Sequence, residues 1–303
     1  MKFRVTHRTH YTYSQPVELC HNEAHLQPRT TATQSCESSQ VMIEPLPAQR
    51  HERHDFFGNR VLYFAVQEAH SELDVTATSE VEVAPPPDSP LIESSPPWED
   101  VRQRLYVHPA PDNLLARQFA LDSPLAAPTP DVRAFTLPSF PAGRPILEAI
   151  LDLNSRIHRD IKYDPKSTTV TTLPSEVIRE RVGVCQDFAH LAIACLRSIG
   201  LPARYVSGYL ETIPPPGKPR LQGADASHAW FAAFVPGLGW FDFDPTNDHM
   251  PSELHVTTAW GRDYADVTPL KGVIFGGGHH TVKVSVDMVR VENGSLPRAT
   301  GEG

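Results

Sequence analysis

Hydrophobic and polar residues alternate along the first part of the chain in four short runs. The runs read "FRVTHRTHYTY", "SCESSQVMIEP", "NRVLYFAVQE" and "LDVTATSEVEV", and residues typical of turns separate them. A repeat of two residues places alternate side chains on opposite faces of a strand. The pattern therefore predicts an N-terminal antiparallel β-sandwich domain over residues 1–85.

Clustered prolines mark the end of this region. The chain contains 30 prolines, about twice the usual share, and several stand together in "APPPDSP" and "SSPPW". Proline removes a backbone donor and fixes φ, so such clusters favour rigid loops over regular structure. We predict a proline-rich linker over residues 86–110 and a second domain over residues 111–303.

The repeat of apolar residues becomes helical beyond the linker. Residues 145–161 place Ile146, Ile150, Leu153 and Ile157 on one face, which is typical of an amphipathic helix. This segment is therefore predicted to be a helix.

A second helix is predicted after "PSEVIRERVGV". Apolar residues recur at helical spacing from Phe188 to Ile199, and Gly200 followed by Pro202 ends the run. Later segments alternate as strands do: "PARYVSGYLE", "HAWFAAFVPGLGWFDFDPT" and "HTVKVSVDMVRVE". Helices followed by an antiparallel sheet predict an α+β domain.

Charge and hydropathy narrow the choice of partners. The formal charge is −9 and no run of Lys or Arg occurs, which disfavours nucleic acid and anionic membranes as partners. The first residues alternate in polarity, and no stretch approaches the roughly 18 consecutive apolar residues of a membrane-spanning helix. We expect a soluble cytoplasmic protein, and the sequence leaves its oligomeric state open.

Two of the four cysteines are candidates for chemistry. Cys185 and Cys195 fall on one predicted helix, about 15 Å apart at a rise of about 1.5 Å per residue, which is too far for a disulfide. Cys195 lies within the apolar stripe and should behave as an inert apolar residue. Cys185 lies in the first helical turn, where free backbone N–H groups and the helix dipole stabilise a thiolate.

A thiolate nucleophile needs a base and a group that orients the base. His228 begins one predicted strand and Asp244 lies near the end of the next. If the turn between them has four residues, Asp244 faces away from His228, whereas a three-residue loop or one β-bulge brings both onto one face. Asp242 has the same parity but lies nearer the turn, so Asp244 is the better partner.

These segments carry a family resemblance. "GVCQDFAHL", "RYVSGYL" and "SHAWFAAFVPGLGWFDFDPTN" resemble the bacterial transglutaminase-like family, which is described as cysteine proteases of the transglutaminase core fold. "YTYSQPV", "LQPR" and "DFFGNRV" resemble its N-terminal β domain, and "GRDYADVTPLKGV" resembles its C-terminal segment. The likeness covers nearly the whole chain, and the fixed order of several motifs makes it specific.

The resemblance implies a mechanism and its residues. Cys185 would be the nucleophile, His228 the general base and then acid, and Asp244 the residue that orients the imidazole. A peptide or protein amide would form a thioester with the enzyme, with no cofactor and no metal ion. Hydrolysis is expected ahead of transfer to an amine, because excluding water from a thioester needs a hydrophobic tunnel or lid. The backbone N–H of Cys185 would be one oxyanion donor.

Several other interpretations stay open. Tyr163 is a candidate for the second oxyanion donor, although a core tyrosine is the simpler interpretation. The same three side chains are also zinc-ligand types, and a non-catalytic binding module could keep this fold. The histidines of "HERHD" and "GGGHH" lack the spacing of a helical zinc motif. Asp187 is expected to complement the helix dipole and His190 to pack. Substrate selectivity is expected from the loop "IPPPGKPRLQGADAS".

Overall fold

The computed structural model describes residues 1–85, 92–212 and 226–291. It has the α+β architecture that the sequence predicts, with a large antiparallel sheet, a four-stranded sheet and helices packed on the latter. Within the described ranges, no helix is both long and apolar enough to cross a membrane.

Most of the helices lie in the middle of the chain, between the strands of the N-terminal domain and those of the four-stranded sheet. The helices are α1 (Trp98–Val107), α2 (Pro111–Arg117), α3 (Pro130–Thr136), α4 (Ile146–Asp160), α5 (Pro174–Glu180), α6 (Cys185–Ser198) and α7 (Tyr264–Val267). The strands are β1 (Lys2–Ala24), β2 (Gln34–Glu44), β3 (Gln49–His54), β4 (Arg60–Val66), β5 (His70–Val83), β6 (Lys162–Tyr163), β7 (Val182–Gly183), β8 (Ala203–Leu210), β9 (Ala226–Val235), β10 (Gly239–Phe243), β11 (His255–Gly261), β12 (Leu270–Gly276) and β13 (His280–Arg290).

The long strand β1 organises the N-terminal domain. Its first half pairs with β5 and β13 and its second half with β4 and β12, and the pairing with β5 shifts register between Thr12 and Val17. Cys20 of β1, Phe64 of β4 and Val75 of β5 are buried in one core. All of these strands belong to one seven-stranded antiparallel sheet, with the order β2-β5-β1-β4-β3 and with β12 and β13 also paired to β1.

The last two strands lie in this N-terminal sheet. Ala24 of β1 pairs with Leu270 of β12, and Val5 pairs with Met288 of β13. The end of the predicted second domain (residues 111–303) therefore returns to β1 instead of extending the core sheet. The predicted linker (residues 86–110) likewise contains α1, which packs among the core helices. The predicted boundaries divide the chain by sequence position alone. In the structure, α1 of the predicted linker packs with the core helices, and β12 and β13 of the predicted second domain pair with β1.

The core sheet has the strand order β10-β9-β8-β11, and α6 packs across β8 and β9. The apolar stripe of α6, with Cys195 and Leu196 near its centre, buries in one core with Phe231 and Val235 of β9. Gly200 has a φ of +79°, a conformation that favours glycine and ends the helix where the sequence predicts.

The N-terminal domain holds β11, the edge strand of the core sheet. The side-chain amide of Gln34 accepts from the Thr257 N–H and donates to the Thr257 carbonyl, both at 2.8 Å. Asn59 does the same with Trp260, both at 2.9 Å, and the Arg29 guanidinium stacks 3.6 Å from the Trp260 ring centroid. These bonds satisfy backbone groups at the sheet edge and fix the position of β11.

Candidate active site

Cys185 is the first residue of α6, as the sequence predicts. The Asp187 carboxylate accepts from the Val184 backbone N–H at 2.8 Å and from the Thr168 hydroxyl at 2.7 Å, which fixes the entry of the chain into the helix. Gly183 permits this approach, because a Cβ there would stand 3.1 Å from the Asp187 Cβ. The half-buried Cys185 thiol therefore lies at the positive end of the helix dipole.

His228 and Asp244 come together on one face of the β9–β10 hairpin. Val235 pairs with Gly239, so the loop between the strands has three residues, which is one of the two irregularities that the sequence analysis requires for the pair. With this register Asp244 shares the face of His228. The His228 Nε2 lies 2.7 Å from the Asp244 Oδ2.

The Asp244 carboxylate is fully buried and held by several donors. Its Oδ1 accepts from the backbone N–H groups of Thr246 at 2.9 Å and Asn247 at 3.2 Å. Its Oδ2 accepts from the side-chain amide of Asn247 at 2.7 Å. Burial raises the pKa of Asp244, but the hydrogen bonds from His228, His255 and Asn247 outweigh burial and hold that pKa well below its usual range.

Neighbouring groups favour the protonated form of His228 despite its burial. Burial lowers the pKa of His228, but hydrogen bonds with Asp244 and Cys185 outweigh burial and raise the pKa from 6.5 to about 10. Because Nε2 faces Asp244, Nδ1 is the ring nitrogen left for the Cys185 thiol. His228 thus contacts the Asp244 carboxylate directly, and the Cys185 sulfur is close enough to help raise the His228 pKa.

The same arrangement bears on zinc. Cys185 is not among the ligand-type side chains of the described residues that lie within reach of one ion together with His228 and Asp244. The group of three ligand types that the described residues do bring together is His228, Asp244 and His255, with ligand atoms within 4.8 Å of one another. Hydrogen bonds among these side chains account for their approach. His51 and His54 of "HERHD" lie exposed on β3.

Two residues of the site were missed by the sequence analysis. His255 begins β11 and is buried, with Nε2 at 3.3 Å from the Asp244 Oδ2. Asn247 lies three positions after Asp244 and donates to it. Asn247 is the last residue of the quoted segment "SHAWFAAFVPGLGWFDFDPTN", so its spacing from Asp244 offered a signal. His255 offered none, because its contact with Asp244 arises from the fold.

The pKa values of two tyrosines respond to Cys185. Tyr163 is 50% exposed, so it is not a core residue, and burial followed by the Cys185 charge raises its pKa. Tyr205 is buried, and burial followed by Cys185 likewise raises its pKa. Tyr163 pairs with Gly183, two residues before Cys185, and its exposure allows it to meet a ligand there.

The remaining candidate residues have structural surroundings. Cys195 is fully buried and burial raises its pKa to about 12, so its thiol stays protonated at neutral pH. Cys185 and Cys195 are free thiols, as their predicted separation requires, and Cys20 and Cys36 are free as well. His190 is buried and its Nε2 accepts from the Tyr264 backbone N–H at 3.1 Å. Residues 213–225, most of the loop expected to select substrates, lie outside the described residues.

The fold and this cysteine-histidine-aspartate arrangement define a transglutaminase-like protein. The family described as "Bacterial transglutaminase-like N-terminal region" matches residues 3–82. The family described as "Transglutaminase-like superfamily" matches residues 140–245, which include the three site residues. The chain belongs to the transglutaminase-like superfamily.

Whole-length relatives agree with this assignment. The chain is 44% identical to Rv2569c of Mycobacterium tuberculosis, covering 97% of this chain and 95% of that protein. It is 32% identical to ML0607 of Mycobacterium leprae, covering 96% and 99%. A crystal structure named "a Putative Cysteine Protease from Cytophaga hutchinsonii" has the same fold, with a TM-score of 0.73 at 23% identity over 96% of this chain and 92% of that one.

A shorter likeness extends to a named enzyme. The chain is 29% identical over 118 residues to a protein-glutamine gamma-glutamyltransferase of Pseudomonas aeruginosa, covering 37% of this chain and 18% of that protein.

Proposed function

We propose that the protein hydrolyses peptide or isopeptide amide bonds with Cys185 as its nucleophile. The observation that carries this proposal is the position of His228, whose Nε2 lies 2.7 Å from Asp244 while its pKa responds to Cys185. An imidazole held by a carboxylate beside a thiol at a helix start is an activated nucleophile. Membership of a superfamily that includes cysteine proteases and transglutaminases supports the proposal.

The first half of the reaction forms a thioester. The proton shared by His228 and Cys185 lies on the imidazole, in keeping with the raised pKa of His228, and the Cys185 sulfur attacks the amide carbonyl carbon as the carbonyl π electrons move to oxygen. When the oxyanion collapses, the C–N bond breaks and the imidazolium of His228 gives its proton to the leaving amine. Asp244 holds the imidazolium in place and stabilises its charge.

The second half of the reaction restores the enzyme. Neutral His228 takes a proton from water as the water oxygen attacks the thioester carbonyl. The C–S bond then breaks, its electron pair returns to the Cys185 sulfur, the product leaves as a carboxylic acid, and the proton taken from water stays on His228. Every enzyme group returns to its starting state, so these residues need no cofactor for a full turnover.

The oxyanion of both steps needs hydrogen-bond donors. We assign one to the backbone N–H of Cys185, which begins α6, and the other to the hydroxyl of Tyr163, which is 50% exposed. Tyr163→Phe should then lower kcat by about a hundredfold with little change in KM. An unchanged kcat would exclude this tyrosine as the donor.

Acyl transfer to an amine is the second candidate. The likeness to the Pseudomonas aeruginosa glutamyltransferase favours it. The two reactions share the thioester and differ only in whether water or an amine attacks it.

Product analysis separates the candidates. The protein is incubated, with and without a primary amine, with peptides that carry glutamine, an internal amide or an Nε-acyl-lysine isopeptide. The products are identified by mass spectrometry. Carboxylic acid products in both conditions support hydrolysis. Exclusive incorporation of the amine would reject the hydrolase proposal in favour of acyl transfer. Cys185→Ser must abolish either product, and Cys195→Ser, in the same helix, is the matched control. Products that persist in folded Cys185→Ser would reject the thiol mechanism.

A further inference from the structure

We propose that His255 is a positioning residue that keeps the Asp244 carboxylate aligned with the His228 imidazole. This inference rests on the proposed function, because it adds a fourth residue to the proposed set of Cys185, His228 and Asp244. His255 Nε2 lies 3.3 Å from Asp244 Oδ2, the same oxygen that His228 Nε2 approaches at 2.7 Å. Both rings are buried.

The hydrogen bonds of His255 define its tautomer. The backbone N–H of Ser252 donates to His255 Nδ1 at 3.3 Å. Because Nδ1 accepts, the ring proton lies on Nε2 and points at Asp244. Burial lowers the pKa of His255, although Asp244 opposes this effect. His255 therefore approaches the carboxylate as a neutral donor and does not compete with His228 as its cation.

The ring of His255 has a fixed place in the fold. The Trp230 ring meets it edge-on with centroids 5.3 Å apart, and the His228 ring centroid is 6.0 Å away. Thr257, two residues further along β11, is bonded on both backbone groups by Gln34 of the N-terminal domain. The donor that His255 offers is therefore anchored to the core and to the N-terminal domain.

This donor completes the constraint on the carboxylate. The backbone N–H groups of Thr246 and Asn247 fix Oδ1. The Asn247 side chain also reaches Oδ2, but Asn247 is exposed, so water competes with it. His255 is buried and donates to the same Oδ2 atom as His228. This second buried donor keeps the carboxylate from rotating away from the His228 imidazole.

A set of variants tests this role. His255→Phe removes the donor and fills the space, His255→Gln keeps an N–H donor, and His249→Phe changes an exposed neighbour whose ring lies 5.4 Å from His255. The first readout is the rate of Cys185 alkylation by iodoacetamide at pH 7, resolved by peptide mass spectrometry. We expect His255→Phe to lower this rate about tenfold, as for loss of a hydrogen bond to a charged group, and His255→Gln to restore most of it. His249→Phe should match the native protein.

The second readout is the titration of the His228 imidazole by NMR. With the carboxylate misaligned, we expect the midpoint of His228 to fall from about 10 toward 6.5 in His255→Phe. A rise would mean that His255 merely withdraws charge from the carboxylate, and it would overturn the positioning role. Unchanged alkylation and titration would overturn it as well.

A double-variant comparison separates positioning from general damage to the fold. If His255 acts through Asp244, adding His255→Phe to Asp244→Asn should change neither readout further. Additive losses would contradict the proposal. If native Cys185 proves unreactive, the proposed function fails, and the His228 titration alone still decides the role of His255. If His255→Phe does not fold, His255→Gln compared with His255→Leu decides it by the same titration.

Discussion

Nε2 of His228 lies 2.7 Å from Oδ2 of Asp244 although the two residues are 16 positions apart and lie at the far end of a hairpin from its turn. The pair exists because the loop between β9 and β10 has three residues. With that register, both side chains leave the same face of the hairpin, toward the start of α6. The hairpin therefore sets the geometry of the whole site.

Asp244→Asn should disable the site while leaving the fold intact. The amide has nearly the size of the carboxylate but lacks the charge that orients and stabilises the imidazolium, so turnover should fall by at least about a hundredfold. Asp248→Asn is the matched control, because Asp248 is exposed and has a φ of +53°, which asparagine tolerates. Equal turnover in both variants would contradict the role of Asp244.

The two cysteines of α6 should respond in opposite ways. Cys195→Ala should destabilise the protein by about 1–2 kcal/mol in urea unfolding, because it leaves a small cavity in the core, and it should leave turnover unchanged. Cys185→Ser should abolish turnover and change stability by less than about 0.5 kcal/mol. Loss of turnover in folded Cys195→Ala would show that the sequence pattern misassigned the two thiols.

The protonated His228 should stabilise the fold on the acid side of its titration. Its folded pKa of about 10 exceeds the ordinary value of 6.5, so its contribution is fully present below pH 6.5 and is lost as pH rises toward 10. Urea unfolding between pH 6.5 and 10 should show a steeper loss of stability in the native protein than in His228→Gln. Identical slopes would mean that His228 is not held as an imidazolium.

Two other buried histidines should have the opposite dependence. Burial lowers the pKa of both His7 and His190 to about 4. Below pH 6.5, these two histidines therefore bind more protons in the unfolded chain than in the folded chain. Stability should fall as pH drops from 6.5 to 4, by up to about 1.4 kcal/mol per pH unit and site. His7→Phe should flatten this slope, and the exposed His51→Gln should leave it unchanged. A slope that His7→Phe leaves intact would mean that His7 does not contribute.

Local patterns explain why much of the site was predictable. The start of α6 at Cys185 follows from a short apolar repeat and the glycine that ends it. The pairing of His228 with Asp244 follows from the alternation of strand residues, once the loop length is given. Both features involve residues close in sequence, where periodicity carries direct structural information.

Long-range contacts explain what the sequence did not reveal. A strand pattern shows which face is buried but does not identify the neighbouring strand, so the return of β12 and β13 to β1 left no sequence signal. His255 is a similar case, because it lies on β11, at the opposite edge of the core sheet from β10. It meets Asp244 only once both edges of the sheet are in place.

Site-resolved alkylation tests the central claim most directly. Native protein is treated with iodoacetamide at pH 7, and the rate at each of the four cysteines is read by peptide mass spectrometry. We expect Cys185 to react far faster than the buried Cys20 and Cys195, and His228→Ala to remove this advantage without unfolding the protein. A native Cys185 that reacts as slowly as Cys195 would contradict the assignment of Cys185 as an activated nucleophile.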